Sequence, residues 1–189
     1  MQNLNPTLWR TCRMLSGKTR LKLLRHLHDH PGQNIADLAA AVGISRSYAS
    51  QEMRRIQSRG FLKATHRGAS LIYLPGADPQ VATAAPLLQA VQAALDSGPA
   101  RRDGEMAVLA AGLAHERRMA LARALLEAPR TSGELWAAQP MSACSFQLHL
   151  RTLIAGGFAV RTKRGLEFRT PPHPLGKALA ELLRQGIAR

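Results

Sequence analysis

The 189-residue chain has little of what marks a secreted scaffold, a membrane protein or an enzyme. Its two cysteines, Cys12 and Cys144, are too few for a disulfide framework or a cysteine zinc cluster. No run of ~18 uncharged apolar residues occurs, so no membrane-spanning helix is expected. Met1 to Arg10 lack a charged stretch followed by a long apolar run, so no secretory signal is visible and a cytoplasmic, nucleoid-associated location is expected. Aromatic residues make up only 4% of the chain, too few for a platform on which single-stranded RNA bases would stack. The motifs GxxxxGKS/T, GxSxG and HExxH are all absent, and the 12 Asp and Glu residues are scattered. No enzymatic activity and no cofactor are expected.

What is present is positive charge. Lys and Arg number 26 and the formal net charge is +14, shared as +7 in residues 1–98 and +7 in residues 99–189. An even excess of this kind argues against a single basic tail and for two similar surfaces facing a polyanion. With 46% hydrophobic residues the chain can also build a core, and its length suits one large domain or two small ones.

The chain repeats itself. Leu15 to Pro75 and Leu113 to Pro172 align with one small gap. Leu15 pairs with Leu113, Pro31 with Pro129, Leu38 with Leu135, Ser45 with Ser142, Gly60-Phe61 with Gly157-Phe158, and Arg67-Gly68 with Arg164-Gly165. Few side chains are identical, but apolar positions and punctuation agree, which points to two copies of one module.

Each copy reads as helices followed by a hairpin. Leu21, Leu24 and Leu27 form a stripe at helical spacing that Pro31-Gly32 stops. Ile35 to Val42 is a short helix, Gly43 a turn, and Ser45 a suitable N-cap for a longer helix with Ala49, Met53 and Ile56 facing inward. Gly60 suits the left-handed position that ends it. Phe61 to His66 and Ser70 to Leu74 then make two strands around Arg67-Gly68-Ala69. In the second copy Phe146, Leu150 and Leu153 face inward, Gly156-Gly157 ends the helix, and a hairpin turns at Lys163-Arg164-Gly165. The expected fold is mainly α with short β-hairpin wings, in two tandem winged helix-turn-helix domains.

The stretches ISRSYASQEMRRIQSRGFLKATHRG and MSACSFQLHLRTLIAGGFAVRTKRG carry a resemblance to the recognition helix and wing of arsenic-repressor-type (ArsR-like) transcriptional regulators. The second copy keeps that family's His-Leu pair as His149-Leu150, with Leu153 beyond it; the first has Glu52-Met53 and Ile56 there. The resemblance covers about 60 residues of each half. It implies a regulator of transcription, more often a repressor, that binds double-stranded DNA.

A helix fills the ~12 Å wide major groove, and residues on its outer face reach base edges. In the first copy Ser47, Ser50, Gln51, Arg54 and Ser58 lie opposite the apolar stripe, all of them hydrogen-bonding residues. Ser45, Arg46, Tyr48 and Arg55 complete the candidate contacts of that helix, and Lys63, His66 and Arg67 those of its wing. In the second copy the matching face is Cys144, Gln147, Leu148, Arg151 and Ala155, with two apolar members and a thiol. Candidate contacts there are Ser142, Ser145, Gln147 and Arg151 on the helix and Arg161, Lys163 and Arg164 on the wing. The first copy is expected to read bases and the second mainly to hold phosphate.

His26, His28 and His30 lie close together, and His26 with His30 has the spacing of a metal pair. The family includes metal sensors, but their cysteine-bearing motif is absent from Ile35 to Val42, and the C-terminal helix lacks a ligand set. Helix-surface histidines are the expectation. A redox switch through Cys12 and Cys144 has no activating neighbour in the sequence, so both are expected to be small packed residues. Residues 1–78 are expected to form the first domain, 79–104 a helical connector with a flexible junction at Ser97 to Gly104, and 105–189 the second domain. In the resembled family the outer helices pair. Here these are Pro6 to Met14 with the connector for the first copy, and Glu105 to Leu113 with Leu175 to Ile187 for the second. An intramolecular pseudo-dimer and a homodimer both fit; the effector is not legible. The rival expectation is a replication, partition or architectural DNA-binding protein with tandem winged helices.

Overall fold

A computed structural model describes residues 7–186. Pro6 and Ile187, the expected outer ends of the first and last helices, lie outside the described residues. Among the described residues two compact units are present, one of Gly17–Ala107 and one of Thr7–Ser16 with residues 108–186.

In unit 1 the apolar stripe forms α2 (Lys18–Asp29), with Leu21, Leu23, Leu24 and Leu27 buried. The short helix is α3 (Ile35–Val42), capped by Asn34, whose side-chain oxygen accepts from the Ala36 and Asp37 N–H groups at 2.8 and 3.1 Å. Gly43 ends it at φ 72°, in the left-handed region where only glycine sits without strain. Next comes α4 (Arg46–Gln57), with Ala49, Glu52, Met53 and Ile56 buried. The wing is β2 (Leu62–Arg67) against β3 (Ser70–Pro75), and a two-residue strand β1 (Gln33–Asn34) adds to β3 to give the antiparallel order β1-β3-β2. That third strand carries no sequence signal of its own. Unit 1 is a winged helix, mainly helical with a small antiparallel sheet.

The expected domain limits are corrected at both ends. The helix α5 (Ala84–Ser97), read as part of a connector, packs against α2 and buries Leu87, Leu88, Val91 and Leu95. Pro86 sits in the first turn of this helix, where a residue needs no N–H for an intrahelical bond. Ser97 to Gly104 is not a flexible junction. A 3-10 turn at Ala100–Arg102 runs straight into α6 (Asp103–Leu113). Arg25 fastens the segment, donating to Leu95 O at 2.8 Å, to Gly98 O at 3.0 Å, and to both oxygens of Asp103 at 2.6 and 3.0 Å. Its bond to Asp103 raises the Arg25 pKa. The first helix, α1 (Leu8–Leu15), belongs with unit 2 and not with residues 17–78.

Unit 2 contains α7 (Glu116–Glu127), α8 (Ser132–Ala137), α9 (Ala143–Ala155), the hairpin β4 (Ala159–Thr162) with β5 (Gly165–Phe168), and α10 (Pro174–Arg184). A capping box at Thr131 and Glu134 starts α8, and the Thr131 N–H and hydroxyl, both donating to the Glu134 carboxylate, lower its pKa. An isolated bridge from Arg130 to Leu166 stands where β1 meets β3 in unit 1. The backbones of α6 and α9 meet closely, since a Cβ on Gly156 would lie 2.7 Å from the Gly112 Cα.

Candidate nucleic-acid interface

The cap of α4 sets the interface. The Ser45 hydroxyl accepts from the Tyr48 N–H at 3.2 Å, so Ser45 fixes where the helix begins and its oxygen is occupied. Once Ala49, Met53 and Ile56 are buried, the opposite face must point outward. Arg46, Ser47, Tyr48, Gln51, Arg54, Arg55 and Ser58 are exposed there, and Ser50 is half-buried. Lys63, His66 and Arg67 are exposed along β2, with Gly68 turning the wing at φ 61°. The expected candidates of the first copy thus fall on one helix face and one wing.

One part of this helix was not anticipated. Glu52 is completely buried on α4, where Arg20 of α2 donates to it at 2.5 Å and Arg55 donates from the next turn. Side-chain exposure is 17% for Arg20 and 58% for Arg55, so the carboxylate is covered by one part-buried and one surface guanidinium. The pair fixes α4 against α2, and Arg55 is a brace for Glu52 as well as a surface cation. A glutamate between two apolar stripe positions was the available signal, and its departure from the resembled family's histidine is visible in the sequence.

In unit 2, Ser142 caps α9 by accepting from the Ser145 N–H at 3.3 Å and donates to the Ser145 Oγ at 3.1 Å. Cys144, Gln147, Leu148, Arg151 and Ala155 are exposed, Ser145 is half-buried, and Leu148 is 62% exposed. The Trp136 indole, also exposed, donates to Met141 O at 2.9 Å and so ties α8 to the turn before α9. Arg161, Lys163 and Arg164 are exposed at the hairpin, whose turn is shaped by the Arg164 N–H donating to Thr162 Oγ1 at 3.1 Å.

The histidines and cysteines resolve differently. The His26 and His30 rings stand 4.9 Å apart, and His28 meets Asp96 at 2.7 Å. Among the described residues no three His, Cys, Asp or Glu groups converge as metal ligands. Cys12 is fully buried and desolvation pushes its thiol pKa up, so it is held as the unreactive neutral form. Cys144 is exposed rather than packed, contrary to expectation, because its place on α9 is on the outer face. Among the described residues no helix is long and apolar enough to cross a membrane.

Residues 17–63 match a family model described as winged helix-turn-helix DNA-binding. That range runs from the start of α2 through α4 into the first wing strand, so a winged helix-turn-helix DNA-binding domain occupies this part of unit 1. No curated protein and no solved structure matches the chain.

Proposed function

We propose that the protein is an ArsR-like transcriptional regulator, a repressor, that engages duplex DNA through two tandem winged-helix modules. The observation that carries the reading is the outer face of α4, where Arg46, Ser47, Tyr48, Gln51 and Arg54 stand exposed on a helix whose other face is locked into a core. Gln51 suits adenine and Arg54 suits guanine, each good bidentate pair being worth ~1–3 kcal/mol against the wrong base. The second module is supported by the order of its elements: α7, α8, Ser-capped α9 and a basic hairpin repeat α2, α3, Ser-capped α4 and the basic wing. Its face, with Leu148 and Cys144 in place of Gln51 and Ser47, is suited to holding phosphate more than to reading bases. The protein acts by binding, without catalysis or a cofactor, in the cytoplasm on the nucleoid. Two unlike heads in one chain favour a non-palindromic site, and pairing of like heads in a homodimer favours a palindrome. Selection of bound sequences from a random duplex library at about 150 mM salt tests the reading, because only base readout enriches a motif at that ionic strength. An enriched motif of one or two half-sites is the expected outcome. Tight binding that enriches nothing refutes the regulator and leaves an architectural protein.

A further inference from the structure

One ion pair of unit 1 has lost half of itself in unit 2. Arg20 is the third residue of α2, and Arg118 is the third residue of α7. Glu52 and His149 stand at the same distance from their capping serines, Ser45 and Ser142, and both face inward. The arginine is therefore kept while the carboxylate that neutralises it is replaced by an imidazole. One nitrogen of each member has no partner: the Nε of Arg118 and the Nδ1 of His149 are buried without a hydrogen bond, and His149 is only 9% exposed.

Among the described residues no carboxylate acts on Arg118. The His115 ring lies 4.5 Å from that of His149, and the His115 Nδ1 is already occupied in accepting the Arg117 N–H. From α1, Arg13 adds positive potential at His115, and Cys12 next to Arg118 is a neutral thiol. Glu116, exposed at the start of α7, is the carboxylate felt by His115. Burial, His115, Arg118 and Arg117 all disfavour the charged form of His149. A buried guanidinium Nε and a buried imidazole Nδ1, neither with a hydrogen-bond partner, are costly unless an acceptor completes them.

We propose that unit 2 binds a small oxyanion, a carboxylate or phosphate, between α7 and α9, with Arg118 and His149 as its donors in the place that the Glu52 side chain fills in unit 1. The oxyanion accepts from Arg118 Nε and from His149 Nδ1 when that nitrogen carries a proton. Bound there, it braces α9 against α7 as Glu52 braces α4 against α2, and so steadies the head that presents Gln147 and Arg151. A phosphate of the DNA backbone does not serve, because His149 is on the inner side of α9 with Phe146, Leu150 and Leu153. The comparison between units rests on the tandem reading proposed above; the two unpartnered nitrogens do not.

The test titrates inorganic phosphate, and separately acetate, into the full chain at constant ionic strength, with chloride as the reference. Melting is followed by tryptophan fluorescence, since Trp9 and Trp136 both belong to unit 2. At tenfold excess over Kd, phosphate or acetate is expected to raise the midpoint by about 3 °C relative to chloride. His149→Glu, which supplies the carboxylate from the chain itself, is expected to melt higher without added anion and to lose the response. Arg118→Met is expected to lose the response as well. Equal midpoints in all three anions, or a full response retained by either variant, overturn the proposal. No DNA enters the assay, so its failure leaves the regulatory reading standing, and a failed sequence selection leaves this site standing.

Discussion

Removing the carboxylate of Glu52 tests how α4 is held. Glu52→Ala takes away a fully buried carboxylate and with it the ion pair to Arg20, whose side chain is 17% exposed. Breaking one side of a buried pair costs ~3–5 kcal/mol. Arg55→Ala removes the 58% exposed partner and should cost under ~1 kcal/mol, as surface pairs do. The double change Arg20→Met with Glu52→Met removes both charges and should recover most of the loss. Urea unfolding followed by circular dichroism reads the helices of both units, whereas tryptophan fluorescence reads unit 2, so a dichroism transition that moves alone reports unit 1. The expected order of stability is wild type, close to the double mutant and Arg55→Ala, then Glu52→Ala well below. A Glu52→Ala protein within ~1 kcal/mol of wild type would refute the claim that this pair carries the α2–α4 junction.

Arg54→Ala should relax base preference at one position by ~1–3 kcal/mol, read by repeating the sequence selection. Arg164→Ala should weaken all sequences alike and lower the salt slope by ~1, read by titration at several salt concentrations. Gly60→Ala should destabilise more than Gly43→Ala in urea unfolding: both have positive φ, but a Cβ at Gly60 meets Val81 and Ala84 at 3.0 Å and one at Gly43 meets nothing. Burial, the first cause in each case, lowers the pKa of His115 and His149 below the ordinary 6.5, so their folded form favours the neutral ring. Stability from this source is complete above pH 6.5 and is lost as pH falls from there through the lowered values, so fluorescence-detected urea midpoints should drop between pH 7.5 and pH 5.

The local grammar of the chain was legible because it depends on residues close in sequence. Ser45 caps, Gly43 and Gly60 turn, and Ala49, Met53 and Ile56 face inward, and each of these follows from backbone sterics or helical periodicity within one or two turns. The place of Glu52 between Ala49 and Met53 hinted at its burial, but its partner was not legible, since Arg20 lies 32 positions away. The same holds for Arg25: its grip on Leu95, Gly98 and Asp103 turns an apparent linker into an ordered part of unit 1, and nothing within SGPARRDG announces it. The departure of α1 to unit 2 is the longest-range feature of all. Its apolar spacing says that it buries a face, and the spacing does not say against what.

The outer faces of α4 and α9 differ in a direction that burial makes meaningful. Polar residues on α4 are exposed because the core needs only the stripe, and they cost little when no ligand is present. Leu148 on α9 is different: an exposed leucine gains nothing from water, and replacing the equivalent of Gln51 with it gives up a bidentate donor and acceptor. On the proposed tandem alignment Arg151 stands in the place of Arg54, and Lys163 and Arg164 in the places of His66 and Arg67, so these cations are kept while Ser47 and Gln51 give way to Cys144 and Leu148. If unit 2 is the second head of the proposed tandem pair, cations kept while Gln51 and Ser47 give way is the pattern of a head that adds affinity more than sequence information.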